Sequence, residues 1–170
     1  MKCYAEALIF AVSAHNGQFR KYSQDPYILH PIRVSEFLLK KFSHRKDVET
    51  LRIAAVLHDV VEDTWVENKD VEKEFGKKIA GLVEELTKDK SFPKKIAAEK
   101  YAAKLQDASD QAKIIKLADI YDNIHDTLPA HKSRIFFGES ASVLNSIDVD
   151  DNVFREIKME ALKRISSINK

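Results

Sequence analysis

One cysteine, Cys3, occurs in 170 residues. No intrachain disulfide can form, and a zinc site built on several cysteines is excluded. A reducing cytoplasm is the expected compartment. Glycine and proline number four each, and β-branched alternation is rare, which leaves little material for strands and tight turns. Neither sign of charge dominates: 28 Lys and Arg against 27 Asp and Glu leave a net charge of +1. That is no global field for nucleic acid, and none is expected as a partner. Long apolar runs are missing too. The stretch from Ala7 to Ala14 lacks a small-residue cleavage site and is too short to span a bilayer, so it reads as a core helix, with no membrane partner.

Helical periodicity fills the space these absences leave. Tyr4, Ala7, Leu8, Ala11 and Val12 define a first helix ending near Gly17. Residues 17–27 are polar and read as a loop. Pro31 suits the first position of a second helix carrying Ile32, Val34, Phe37 and Leu38. A third helix is expected over 46–61, with Leu51 and Ala54 to Leu57 facing inward. Others follow at 68–75, 77–87 and 93–105. Ser109 or Asp110 caps an apolar helix through Ile124. Residues 129–151 look least regular and read as loops with short helices. Residues 152–168 form an amphipathic helix whose Val153, Ile157, Ala161, Leu162 and Ile165 share one face. The fold class read from this is all-α, a single domain over 1–170.

Three segments concentrate ionisable groups where burial is expected. In Leu57-His58-Asp59-Val60-Val61-Glu62-Asp63-Thr64, His58 and Asp59 are neighbours at the end of an apolar helix, pointing about 100° apart. Glu62 and Asp63 lie one turn onward on the same two faces. Three carboxylates so close repel unless a cation sits among them; a solvated helix end is the plainer reading of the pair alone. In the apolar segment 113–124, Asp119 and Asn123 share a face, with Lys116 three residues before Asp119. A carboxylate there needs a partner, either a metal or Lys116 itself. In Pro26-Tyr27-Ile28-Leu29-His30-Pro31, the prolines constrain His30 at a loop-to-helix junction; a capping histidine is the alternative. His15, His44, His125 and His131 have no such setting and read as structural. Two His and two Asp make a mixed nitrogen and oxygen set suited to Mn²⁺, Fe²⁺, Zn²⁺ or Co²⁺. Glu62 and Asp63 then remain as acid–base groups. Arg20-Lys21, just before His30, is either surface charge or a phosphate clamp.

In order, Gln18-Phe19-Arg20-Lys21, Pro26 to Pro31, Leu57 to Thr64, Phe75-Gly76, Leu86-Thr87 and Lys116 to Asn123 resemble the hydrolase domain of RelA/SpoT-type proteins. The match covers most of residues 4–128 and is weak beyond Pro129. The bifunctional members add synthetase and regulatory domains for which 170 residues leave no length, so the chain is similar to the stand-alone small alarmone hydrolases. The resemblance implies a single HD-domain helical bundle with C-terminal helices in 129–170. It implies Mn²⁺-dependent removal of pyrophosphate from the 3′ position of ppGpp and pppGpp, a small-molecule nucleotide substrate. His30, His58, Asp59 and Asp119 would be the metal ligands, and Glu62 and Asp63 the catalytic pair. Arg20 would contact the guanine, Lys21 the phosphates or nearby backbone, and Asn123 the nucleoside, with Lys116 offsetting phosphate charge. The loop Tyr22-Ser23-Gln24-Asp25 lacks a glycine that the family often has there, which keeps ppApp and NADPH as alternative substrates. Two rivals remain: an HD phosphohydrolase acting on a nucleotide monophosphate or cyclic nucleotide, and a catalytically silent nucleotide-binding module.

Overall fold

The computed structural model describes residues 2–126 and 130–168, without the side chains of Lys94 and residues 130–134. Its helices are α1 (Tyr4–Ala14), α2 (Leu29–Phe42), α3 (Val48–Leu57), α4 (Val60–Asp63), α5 (Asn68–Phe75), α6 (Lys77–Leu86), α7 (Lys94–Gln106), α8 (Asp110–Asn123), α9 (Ala130–Ser146) and α10 (Asn152–Ile168). No strand occurs among the described residues; the loop after α1 holds one isolated bridge, Phe19 to Pro26. No helix in the described part is long and apolar enough to cross a membrane.

The unbroken run Ile53 to Leu57 explains the centre of the bundle. A helix apolar on every side has no face for water, and all five of these residues are completely buried. α3 is accordingly wrapped by α1, α2, α6 and α8. Each large apolar side chain taken in contributes about 1.5–3 kcal/mol. The ends of the outer helices follow local chemistry. Ser109 Oγ accepts the Ala112 N–H at the start of α8, and Asp151 Oδ1 accepts those of Val153 and Phe154 at the start of α10. The α10 face matches its expected pattern, with Ile157, Ala161 and Ile165 buried.

Three elements differ from the sequence reading. α2 begins at Leu29, so His30 lies in its first turn; Pro31 is tolerated there because first-turn N–H groups have no intrahelical partner. The helix expected over 46–61 is broken at His58 and Asp59 into α3 and the one-turn α4. The region read as irregular contains the 17-residue α9, while 127–129, including Pro129, lie outside the described residues. α9 has a weak amphipathic pattern of its own and packs against α7 and α10, so tertiary packing supplies what periodicity did not announce.

Candidate metal centre

The first turn of α2, the α3–α4 break and the middle of α8 meet at one end of the central helix. His30, His58 and Asp119 are 1%, 4% and 6% exposed. One ligand-type atom from each lies within 4.8 Å of the others. His30 Nε2 is 3.1 Å from Asp119 Oδ1 and 3.8 Å from Asp59 Oδ2. His58 Nε2 is 3.0 Å from Asp59 Oδ2 and 3.8 Å from Asp119 Oδ1. At the break between α3 and α4, His58 and Asp59 both reach this point.

The other ring nitrogens settle which atoms face that point. His58 Nδ1 lies 2.7 Å from the Ala55 carbonyl, so it carries the hydrogen and donates. In the neutral ring Nε2 is then a lone pair, and it is buried with no hydrogen-bond partner. His30 Nδ1 is 2.7 Å from Asp122 Oδ2, which turns its Nε2 toward the same point, 3.1 Å from Asp119 Oδ1. Two imidazole nitrogens opposite two carboxylates can be satisfied by protons or by a metal, and a divalent cation engages all four groups at once.

The charges carry the same signature. Burial alone would lower both imidazoles; the facing carboxylates outweigh it, and both stand above the ordinary value, His58 well above. Burial would raise Asp59 and Asp119, but His58 and Lys116 respectively outweigh it and hold both below the usual range. Protons and a cation therefore compete for the same nitrogens. Lowering pH through the raised imidazole range should weaken cation binding, and raising it should strengthen binding. Calorimetry of Mn²⁺ binding in buffers of different ionisation heat should detect proton release; pH-independent affinity without release would contradict this ligand set.

Around the cluster, Lys116 Nζ donates to Asp119 Oδ2 at 2.7 Å and Asn123 Nδ2 to Asp119 Oδ1 at 2.6 Å. The ion pair with Lys116 and the approach to the histidines thus use different oxygens of one carboxylate. Glu62 Oε2 accepts the Lys88 N–H at 2.9 Å. Asp63 accepts from the Tyr27 hydroxyl at 3.1 Å and from Lys90. Apart from Lys90, these groups line a cavity of about 210 Å³. It runs into one of about 480 Å³ between α7, α8 and α9, with Lys88, Tyr101, Lys116, Asp119 and Asn123 on both walls.

Of the remaining expected site residues, Arg20 reaches the cavity, held by Asp126 Oδ2 and Asn123 Oδ1, each 2.6 Å from its Nη2. Lys21 lines neither cavity and lies over the Tyr22 ring. Sequence reasoning passed over Tyr27, whose hydroxyl donates to Asp59 at 2.7 Å as well as to Asp63. It passed over Lys88, Lys90, Tyr101 and Asp122 as well. His15, read as structural, is buried behind Tyr27 and bonds Gln18, whose amide reaches the Asp63 carbonyl. Tyr27 sits inside the quoted Pro26 to Pro31 segment and Asp122 one turn after Asp119, so both were within reach; the lysines were not. The side chain of His131 lies outside those described.

The chain has relatives among known proteins. A family model described as HD domain matches residues 7–143. Guanosine-3′,5′-bis(diphosphate) 3′-pyrophosphohydrolase MESH1 of Drosophila melanogaster is 42% identical over 124 residues, 72% of this chain and 68% of that protein. The Mus musculus protein of the same name is 40% identical over 168 residues, 94% and 90% of the two chains. A solved structure described as a metazoan ortholog of SpoT that hydrolyzes ppGpp and plays a role in starvation responses has a TM-score of 0.83. It is 32% identical and covers 95% of this chain and 94% of its own.

Proposed function

Because the chain belongs to the HD-domain family, we propose that it hydrolyses guanosine 3′,5′-bis(diphosphate) and its 5′-triphosphate analogue at the 3′ position, releasing pyrophosphate. The observation that carries this is the pair of imidazole Nε2 atoms facing two carboxylates, that of His58 buried without a hydrogen-bond partner, with a second carboxylate pair one turn onward. His30, His58, Asp59 and Asp119 would hold a divalent cation, for which we take Mn²⁺, and it would supply Lewis acidity toward phosphoryl oxygens and lower the pKa of water. The substrate is a small nucleotide met in the cytoplasm, and the chain acts as one HD-type domain.

Glu62 and Asp63 move the protons. Burial raises Glu62 above its ordinary value; the Lys88 N–H opposes this, and nearby Asp59 and Asp63 add to it. That shift toward the protonated form suits Glu62 to donate to the departing ribose 3′-oxygen. Asp63, held by Tyr27 and Lys90, takes the proton of the attacking water. Lys116 and Lys88 offset phosphate charge along the cavity. Arg20 and Asn123 flank the nucleoside, and Lys21 meets phosphate only from the rim.

Attack at the phosphorus bonded to the 3′-oxygen fixes the products. In ¹⁸O-labelled water under single turnover, ppGpp should yield GDP and intact pyrophosphate, with the label in pyrophosphate. Orthophosphate as primary product, or label in the ribose hydroxyl, would overturn the proposed bond cleavage. Running ppGpp, pppGpp, ppApp and NADPH side by side with Mn²⁺ sets the base preference. Binding of ppGpp with no turnover of any of the four would identify a silent binding module.

A further inference from the structure

The two histidines of the centre are held in different ways. His58 donates to the Ala55 carbonyl, an acceptor on its own helix. His30 depends on another helix. Its imidazole lies between two carboxylates of α8: Asp119 Oδ1 is 3.1 Å from Nε2, and Asp122 Oδ2 is 2.7 Å from Nδ1. Three residues rise about 4.5 Å along a helix, so Asp119 and Asp122 suit opposite sides of one ring. Asp122 is in turn gripped by Arg33, whose Nε and Nη2 donate to its two oxygens at 2.8 and 2.9 Å. Such a fork fixes the plane of a carboxylate as well as its position. Arg33 follows His30 by three residues on α2, so the path His30–Asp122–Arg33 closes a loop between α2 and α8.

We propose that Asp122 and Arg33 are the positioning pair of the metal centre, aiming His30 Nε2 at the cation from outside the catalytic cavity. The inference rests on the metal reading above and adds residues to it. Neither residue lines the catalytic cavity or its extension between α7 and α9. Both face a separate groove of about 350 Å³, beside the stacked rings of Phe37 and Tyr121. The pair therefore acts on metal retention without touching substrate. Partners of this kind on a ligand histidine are typically worth about 10–100-fold in metal affinity.

The test is Mn²⁺ affinity by competition with a chelating dye for wild type, Asp122→Ala, Asp122→Asn, Arg33→Gln and the reference His58→Ala. Asp122→Ala should bind about 10–100-fold more weakly. Asp122→Asn, which keeps an acceptor oxygen, and Arg33→Gln should weaken binding in the same direction by less. The visible bands of the Co²⁺-loaded protein should shift in these variants, reporting a reoriented ligand. KM for the nucleotide, measured at saturating Mn²⁺, should stay near wild type. If Asp122→Ala does not fold, Asp122→Asn and Arg33→Gln decide. Wild-type affinity and unshifted Co²⁺ bands in the folded variants, even with lower thermal stability, would reduce the pair to a helix-to-helix ion pair and overturn the proposal. Failure of the wild type to bind Mn²⁺ at all would instead overturn the metal reading, and this inference with it.

Discussion

His58→Ala is expected to leave the protein without bound metal and without measurable turnover, and Asp119→Ala to do the same. Each removes one of four groups around a single point. His58 Nε2 is within 3.8 Å of both carboxylates, while its Nδ1 is committed to Ala55. Asp119 approaches both histidines through Oδ1. The two variants differ in stability. His58→Ala removes a ring and the unsatisfied nitrogen with it. Asp119→Ala strands the Lys116 ammonium, whose pKa burial would lower but which Asp119 and Tyr101 hold above its ordinary value. Breaking a buried pair by removing one partner typically costs about 3–5 kcal/mol. Lys116 retains some contact with solvent, 19% of its side chain, so the loss should fall below that range. Elemental analysis of the purified variants, with thermal melts beside it, separates metal loss from unfolding. A full complement of metal in both folded variants would rule out the proposed ligand set.

Glu62→Gln and Asp63→Asn are expected to keep the metal and lose about 10²–10⁴-fold in turnover, the usual worth of a positioned acid or base. The amide that replaces the Glu62 carboxyl still offers an oxygen to the Lys88 N–H, so the local fold has no reason to change. Asp63→Asn loses the charge that faces Lys90 but keeps an acceptor for the Tyr27 hydroxyl. A fall in the single-turnover rate with unchanged metal content and unchanged nucleotide affinity is the expected pattern. Because the two carboxylates adjoin each other, the double variant should cost much less than the product of the single losses. Near-wild-type turnover in both single variants would show that proton transfer is handled elsewhere, for example by Tyr27.

How much of this was legible beforehand depends on the distance in sequence over which each feature is encoded. Periodicity marked α10 and its buried face, and the composition of Ile53 to Leu57 marked a helix with no side for water. The spacing of Glu62 and Asp63 behind His58 and Asp59 is local, so their nearness was readable. The break at His58 was not, because continuous apolar patterning from Leu51 to Val61 looks like one helix. At the break the Tyr27 hydroxyl donates to Asp59, a contact made from outside the segment. α9 was missed for a related reason. Its stabilising contacts come from α7 and α10, and its own pattern is weak.

The amino-acid sequence by itself determined the helical class, the central helix and the residues chemically able to hold a cation, since these depend on side-chain type and on intervals of a few residues. Only the tertiary structure decided which atoms meet. His30 and Asp119 lie far apart in the chain, and their approach to 3.1 Å follows from α2 packing on α8 over the core of α3. The same packing enlisted Asp122 and Arg33 beside His30, brought Lys90 onto the acid pair and left Lys21 outside the cavity. Hydrogen bonds and ion pairs act over a few ångströms, and no local pattern states which distant side chains will come that close once the apolar faces are buried.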